Sequence, residues 1–129
     1  MSAPELVDRV DLEVVFVRRP DGLAGIREAW QELERVVPLR GHHFYGTFAG
    51  EEYRACAQLR EGEDYPLERG TIPGGRYARV RLHGEPPALY ERIGPEIENL
   101  AATVPVDPTR PFLEHYRRRD VIDLLVPVA

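Results

Sequence analysis

One stretch near the C-terminal end of the chain places an acidic side chain between two aromatic ones. Residues 111–116 read Pro-Phe-Leu-Glu-His-Tyr, and β-strand alternation directs Phe112, Glu114 and Tyr116 to one face. A carboxylate between aromatic rings suits a cation, through its charge and the ring quadrupoles. The same surroundings would desolvate Glu114 and raise its pKa, which suits a general acid or base. A glutamate on an edge strand in solvent is the alternative that the pattern leaves open.

The other residues with reactive side chains do not form a recognisable site. The four histidines lack the spacing of metal ligands, and strand neighbours such as His42 and His43 point to opposite faces. Gly74 and Gly75 precede a strand, whereas a phosphate-binding loop precedes a helix. Cys56, the single cysteine, has no activating base in the pattern and is expected to be buried and inert. We expect neither a metal nor a cofactor.

Composition restricts the class of protein and its partners. The 129 residues are 30% charged and 43% hydrophobic, as in one ordinary globular domain. The net charge of -5 argues against direct binding of nucleic acid and favours cationic partners. The chain shows neither a signal peptide at its start nor an apolar run long enough for a membrane span. We therefore expect a cytoplasmic protein without membrane contact.

The first half of the chain reads as strand, helix, strand, strand. Residues 12–17 form a β-branched run typical of a central strand, and residues 42–48 and 53–59 are shorter strands. Between them, residues 23–37 show apolar side chains at helical spacing, namely Ile26, Trp30, Leu33 and Val37.

The second half repeats this order of elements. A turn at residues 72–75 leads into an alternating strand from Tyr77, and residues 112–116 and 121–126 are the last two strands. A helix lies between, with the apolar stripe Leu89, Ile93, Ile97 and Leu100. Pro95 should kink or break this helix, because proline removes a hydrogen bond and clashes with the preceding turn.

The pattern predicts a single α+β domain over residues 1–129, in which two strand-helix-strand-strand units form an antiparallel sheet with two helices. The first repeat covers about residues 5–60 and the second about residues 75–128. Residues 61–74 are expected to link them.

Four segments, in this order and spacing, resemble the GyrI-like small-molecule-binding family, which also supplies effector-binding domains of AraC-type and MerR-type multidrug regulators. They are Tyr-Arg-Ala-Cys at 53–56, Thr-Ile-Pro-Gly-Gly-Arg-Tyr-Ala at 71–78, Pro-Phe-Leu-Glu-His-Tyr at 111–116, and Ile-Asp-Leu-Leu-Val-Pro at 122–127. The resemblance extends over nearly the whole chain. Since Glu5 enters the domain almost at once, we expect a stand-alone member without a helix-turn-helix segment.

The resemblance implies a ligand cleft at the pseudo-twofold between the units, with a glutamate from the penultimate strand among aromatic side chains. That glutamate is Glu114, with Phe112 and Tyr116 on its strand face. By analogy of element, Trp30, Tyr45 and Tyr90 fall where family members place aromatic walls. Core packing is the alternative for these three residues.

We therefore expect a protein that binds amphipathic, cationic aromatic small molecules, for sensing, sequestration or resistance. The alternative is an enzyme, since some stand-alone relatives are hydrolases that open strained cyclopropyl rings of electrophilic toxins. Glu114 would then position or deprotonate a water molecule. A third hypothesis is a module that inhibits a partner protein through an exposed face.

Overall fold

A computed structural model describes residues 4–129, which pack around one antiparallel sheet. The elements in chain order are β1 (Glu5–Arg9), β2 (Leu12–Pro20), α1 (Leu23–Val36), β3 (Phe44–Ala49), β4 (Glu52–Gln58), β5 (Glu68–Ile72), β6 (Gly75–His83), α2 (Ala88–Glu91), α3 (Ile93–Ala101), β7 (Phe112–Arg118) and β8 (Val121–Pro127). The eight strands of this region pair in the order β1-β6-β8-β7-β3-β4-β2-β5. The predicted α+β class is confirmed. Within the described region, no helix is long and apolar enough to cross a membrane.

The sheet has a pseudo-twofold axis. Its strand order reads the same from either edge once β1, β2, β3 and β4 are exchanged with β5, β6, β7 and β8. Corresponding strands also agree in length, with 9 residues in β2 and β6 and 7 residues in β4 and β8. The axis passes through the central β3–β7 pair, where Gly46 lies opposite Glu114.

Two strands were not predicted from the sequence. β1 precedes the first expected strand, and β5 lies inside residues 61–74, which were expected to be a linker. β1 pairs with β6 of the second repeat, and β5 pairs with β2 of the first. Each repeat is therefore strand-strand-helix-strand-strand. The first strand of each repeat pairs with the second strand of the other repeat and forms an edge of the sheet.

The helices cover two separate areas of one sheet face. α1 packs on β2 and β4 through Ala29 and Leu33, both buried. α3 packs on β6 and β8 through Ile97 and Leu100, also buried. Because β3 and β7 lie between these areas in the strand order, their side chains form the floor between the two helices.

The second helix breaks one turn earlier than predicted. α2 ends at Glu91 and α3 begins at Ile93, so the break falls at Arg92 instead of at Gly94 and Pro95. Pro95 occupies the first turn of α3, where backbone N–H groups have no partner within the helix. The first backbone hydrogen bond of α3 runs from the N–H of Glu96, one residue after Pro95, to the carbonyl of Arg92 over 3.0 Å. The missing N–H of Pro95 therefore costs the helix nothing.

The opposite face of the curled sheet is also largely buried. Val14 and Phe16 of β2, Tyr45 of β3 and Leu125 of β8 belong to one apolar cluster there, with Tyr77 of β6. These residues alternate along their strands with those that face the helices. The two faces of the β3–β7 pair thus lead to two different buried regions.

Candidate functional site

Glu114 lies on the helix-facing floor at the centre of the sheet and is only 6% exposed. Its strand partner is Gly46, which has no side chain to occupy the space above the pair. A Cβ atom at Gly46 would lie 2.5 Å from Oε1 of Glu114 and still closer to the hydroxyl of Tyr53. Gly46 therefore makes the room in which the carboxylate sits.

Two tyrosine hydroxyls hold this carboxylate. Tyr116 donates to Oε1 over 2.6 Å and Tyr53 donates to the same oxygen over 3.0 Å. The indole N–H of Trp30 donates in turn to the Tyr53 hydroxyl over 2.9 Å. Within residues 4–129, Oε2 accepts no hydrogen bond from a protein donor. The second oxygen of Glu114 is thus available to a ligand or a water molecule.

Burial controls the protonation of these groups. It raises the pKa of Glu114 above its ordinary value, although hydrogen bonds from Tyr116 and Tyr53 oppose the shift. Burial and the adjacent Glu114 charge raise the pKa values of Tyr53 and Tyr116 well above the ordinary range. Both tyrosines therefore remain protonated donors at neutral pH, and Glu114 titrates in a higher pH range than an exposed glutamate.

Aromatic rings surround the carboxylate. The Trp30 and Tyr116 rings meet edge to face with centroids 5.1 Å apart. Tyr90 of α2 lies outside this pair, 47% exposed, with its ring centroid 6.4 Å from that of Tyr116. The site is a buried acid enclosed by aromatic rings, with a partly exposed tyrosine on its outer side.

Four of the predicted aromatic residues lie on the same side of the sheet as Glu114. Trp30 and Tyr116 connect to it through the hydrogen bonds described above, and Tyr90 reaches it only through Tyr116. Phe112 lies further along β7 and packs edge to face against Phe48, with centroids 5.3 Å apart.

The prediction that Tyr45 lines the same cleft is corrected by the register of β3. Tyr45 pairs with His115 and points to the opposite face, where it stacks on that ring with centroids 4.3 Å apart. Arg9 donates to its hydroxyl over 2.9 Å. Tyr45 belongs to the apolar cluster of the other face, since its neighbour Gly46 is the residue that faces Glu114.

Tyr53 is the residue of the site that the sequence interpretation missed. The alternation of β4 puts Tyr53 on one face with Ala55 and Ala57, a pattern that by itself indicates only packing. Tyr53 also belongs to the segment at 53–56, one of the four that resemble the GyrI-like family. A buried tyrosine needs a partner for its hydroxyl, so these two facts together were a signal for a role in the site. Its bonds to Trp30 and Glu114 are non-local, and β4 alone does not reveal them.

Replacing Tyr53 by phenylalanine is expected to lower the free energy of unfolding by about 1–2 kcal/mol, because Trp30 and Glu114 both lose a buried partner. Chemical denaturation measures this loss, and the emission of Trp30, the single tryptophan, should shift at the same time. Tyr65→Phe, which removes a hydroxyl bonded to Glu63, is the control and should leave the emission unchanged. An unchanged emission in Tyr53→Phe would contradict the described contact.

Known proteins share this fold at low sequence identity. No protein-family model and no curated protein matches the sequence. The integron cassette protein VCH_CASS2 from the mobile metagenome of Vibrio cholerae is 15% identical, with a TM-score of 0.78 over 98% of this chain and 95% of its own. SAV2435, solved bound to tetraphenylphosphonium, is 15% identical with a TM-score of 0.68 over 99% of this chain and 94% of its own. The C-terminal domain of EcmrR is 12% identical, with a TM-score of 0.61 over 98% of this chain and 97% of its own.

These similarities extend over nearly the whole length of each solved chain. They establish the fold, which agrees with the GyrI-like architecture that the four sequence segments indicated.

Proposed function

We propose that this protein binds amphipathic aromatic cations at Glu114, for sensing, sequestration or resistance. The observation that carries the proposal is a buried carboxylate with one free oxygen, enclosed by Trp30, Tyr53 and Tyr116. Desolvated charge and aromatic faces both attract a cation, and neither favours an anion. SAV2435 was solved with an aromatic cation of this kind, which supports the same ligand class for this chain.

Glu114 supplies the charge, and the tyrosines supply its orientation. Because Tyr53 and Tyr116 both bond Oε1, they fix the carboxylate and leave Oε2 to face the ligand. Since Glu114 is 6% exposed, the aromatic side chains over it must move when a ligand enters. Only the ionised carboxylate attracts a cation, so affinity should fall as the pH falls through the raised pKa of Glu114.

Glu114→Gln is expected to weaken binding of tetraphenylphosphonium by at least about tenfold, which corresponds to about 1.4 kcal/mol. Quenching of Trp30 emission provides the titration, because Trp30 touches the ring of Tyr116. The variant should remain folded, since an amide oxygen still accepts the tyrosine hydroxyls and a buried charge is removed.

The matched control is Glu34→Gln, the same charge change at an exposed position of α1. Tetraphenylborate, which has the same shape and the opposite charge, should not bind the wild-type chain. Equal affinity of Glu114→Gln and wild type for tetraphenylphosphonium would refute the proposed role of the carboxylate.

A hydrolase is the second candidate, favoured by the raised pKa and free oxygen of Glu114. In that reaction, Oε2 would take a proton from a water molecule whose oxygen attacks a strained cyclopropane carbon. The ring carbon–carbon bond breaks, and the proton held on Oε2 passes to the carbon that receives the electron pair of that bond, which restores the carboxylate. Incubation with a cyclopropane-bearing electrophile should yield a water adduct by mass spectrometry. Product formation no faster than with Glu114→Ala would rule out this activity for that substrate.

A further inference from the structure

A cavity of about 300 Å³ lies on the sheet face opposite Glu114. Val14 and Phe16 of β2 form part of its wall, whereas their neighbours Val15 and Val17 face α1. Thr47, next to Gly46 in β3, also lines it. Glu114 does not contribute to this cavity, which is therefore separate from the site described above.

Apolar side chains form about half of the cavity wall. Val14, Phe16 and Ile72 come from the buried cluster on this face, and Pro73 and Pro111 add further apolar wall. Its volume is at the lower end of the range of about 300–1,000 Å³ typical of small-molecule sites. The size and lining suit one flat ring system.

One cationic group is held at this wall by two contacts. Nε of Arg54 donates to Glu52 over 2.6 Å, and its guanidinium carbon lies 4.4 Å from the centroid of the Phe16 ring. Within residues 4–129, this is the only hydrogen bond that the Arg54 side chain makes. Its two terminal nitrogens therefore remain free as a planar fork, the geometry that binds a carboxylate through two parallel hydrogen bonds.

The other polar groups of the cavity include one acid, Glu52. Its Oε2 accepts from Nε of Arg54, and its Oε1 lies 3.9 Å from a terminal nitrogen of Arg18, so two cations offset its charge. Burial raises the pKa of the Cys56 thiol to about 12, so this sulfur carries no charge at neutral pH. The hydroxyl of Thr47 is buried at the same wall and can donate to an oxygen.

We propose that this cavity is a second binding site, which takes an aryl carboxylate. The carboxylate is held by the terminal nitrogens of Arg54, and the ring lies against Phe16 and Val14. Stacking on Phe16 and the bond to Glu52 fix the guanidinium before the ligand arrives, which lowers the entropic cost of binding. The two faces of the central strands then select ligands of opposite charge.

Calorimetric titration of the full chain with two naphthalene derivatives tests this site. Naphthoate and naphthalene methanol share one ring system and differ in charge. Naphthoate should bind the wild-type chain at least about tenfold more tightly than the neutral alcohol, because only the carboxylate engages both arms of the fork. Similar affinities of the acid and the alcohol would overturn the proposal.

Variants of two strand arginines locate the bound acid. Arg54→Gln should weaken naphthoate binding by at least about tenfold. Arg79→Gln, in β6, is the matched control, since Arg79 binds Glu5 over 2.7 Å and does not line the cavity. Arg54→Lys keeps the charge and loses the fork, so it provides the comparison if the glutamine variant does not fold. Wild-type affinity in either folded Arg54 variant would overturn the proposal.

Discussion

Asp123→Asn is expected to lower the free energy of unfolding by about 3 kcal/mol at neutral pH. The change removes the acidic partner of a buried ion pair and leaves its arginine partners in place. Asp123 is 1% exposed and accepts two hydrogen bonds from Arg81, over 2.7 and 3.1 Å. Arg117 donates to the same carboxylate over 3.5 Å. An asparagine would turn an N–H₂ group toward these cations. The arginines reach solvent, which keeps the loss at the lower end of the range for buried pairs.

This loss should depend on pH. Burial alone would raise the pKa of Asp123, but the hydrogen bonds and charges of Arg81 and Arg117 outweigh it and lower the pKa. A lowered folded-state pKa means that the stabilisation is complete above the ordinary value of 3.8 and disappears as the pH falls through the folded value. Wild type and Asp123→Asn should therefore converge in strong acid.

Urea denaturation at neutral pH and at successively lower pH measures this convergence. Asp120→Asn, at an exposed position of the adjacent turn, is the control and should change stability by less than about 0.5 kcal/mol. A loss in Asp123→Asn that stays the same down to strong acid would show that charge is not its cause.

Gly46→Val is expected to destabilise the domain by about 3 kcal/mol and to abolish cation binding. The added side chain would overpack a site whose neighbouring groups cannot move away from it. The new Cβ would lie 2.5 Å from Oε1 of Glu114 and closer to the Tyr53 hydroxyl. Both groups are fixed by hydrogen bonds to each other, to Trp30 and to Tyr116. Thermal and urea unfolding give the stability, and Trp30 emission gives the binding.

Two further variants separate this clash from a general effect of valine in a strand. Ala49→Val, at an exposed position of the same strand, should be tolerated. Gly46→Ala should cost less stability in a Tyr53→Phe background than in wild type, since phenylalanine lacks the oxygen nearest the new methyl group. Equal losses with and without the Tyr53 change would show that the described approach of these groups is wrong.

Local patterns were sufficient to predict the strand that carries the candidate charge. Alternation alone placed Phe112, Glu114 and Tyr116 on one face, and the structure has them there. The same rule could not place Tyr45, because its side depends on how β3 aligns with β7. A shift of one residue reverses every side chain of a strand. Glu114 faces Gly46, so Tyr45 faces away.

The failure to predict β1 and β5 from the sequence has a similar cause. β1 reads Glu-Leu-Val-Asp-Arg and β5 reads Glu-Arg-Gly-Thr-Ile, short segments with too few apolar residues for a clear period. Both are edge strands, and each pairs with one neighbour that is distant in sequence. Their structure depends on that partner, and a local pattern contains no information about it.

The exchange of first strands between the repeats has a consequence for fragments of the chain. A cut between β4 and β5 would give two pieces, of which the first keeps β1 without β6 and the second keeps β5 without β2. Each isolated piece would expose an unpaired strand edge and tend to aggregate. Mixed together, the pieces should instead associate through three strand pairs, which are β1–β6, β2–β5 and β3–β7. The same geometry permits two intact chains to trade β1 and form a swapped dimer.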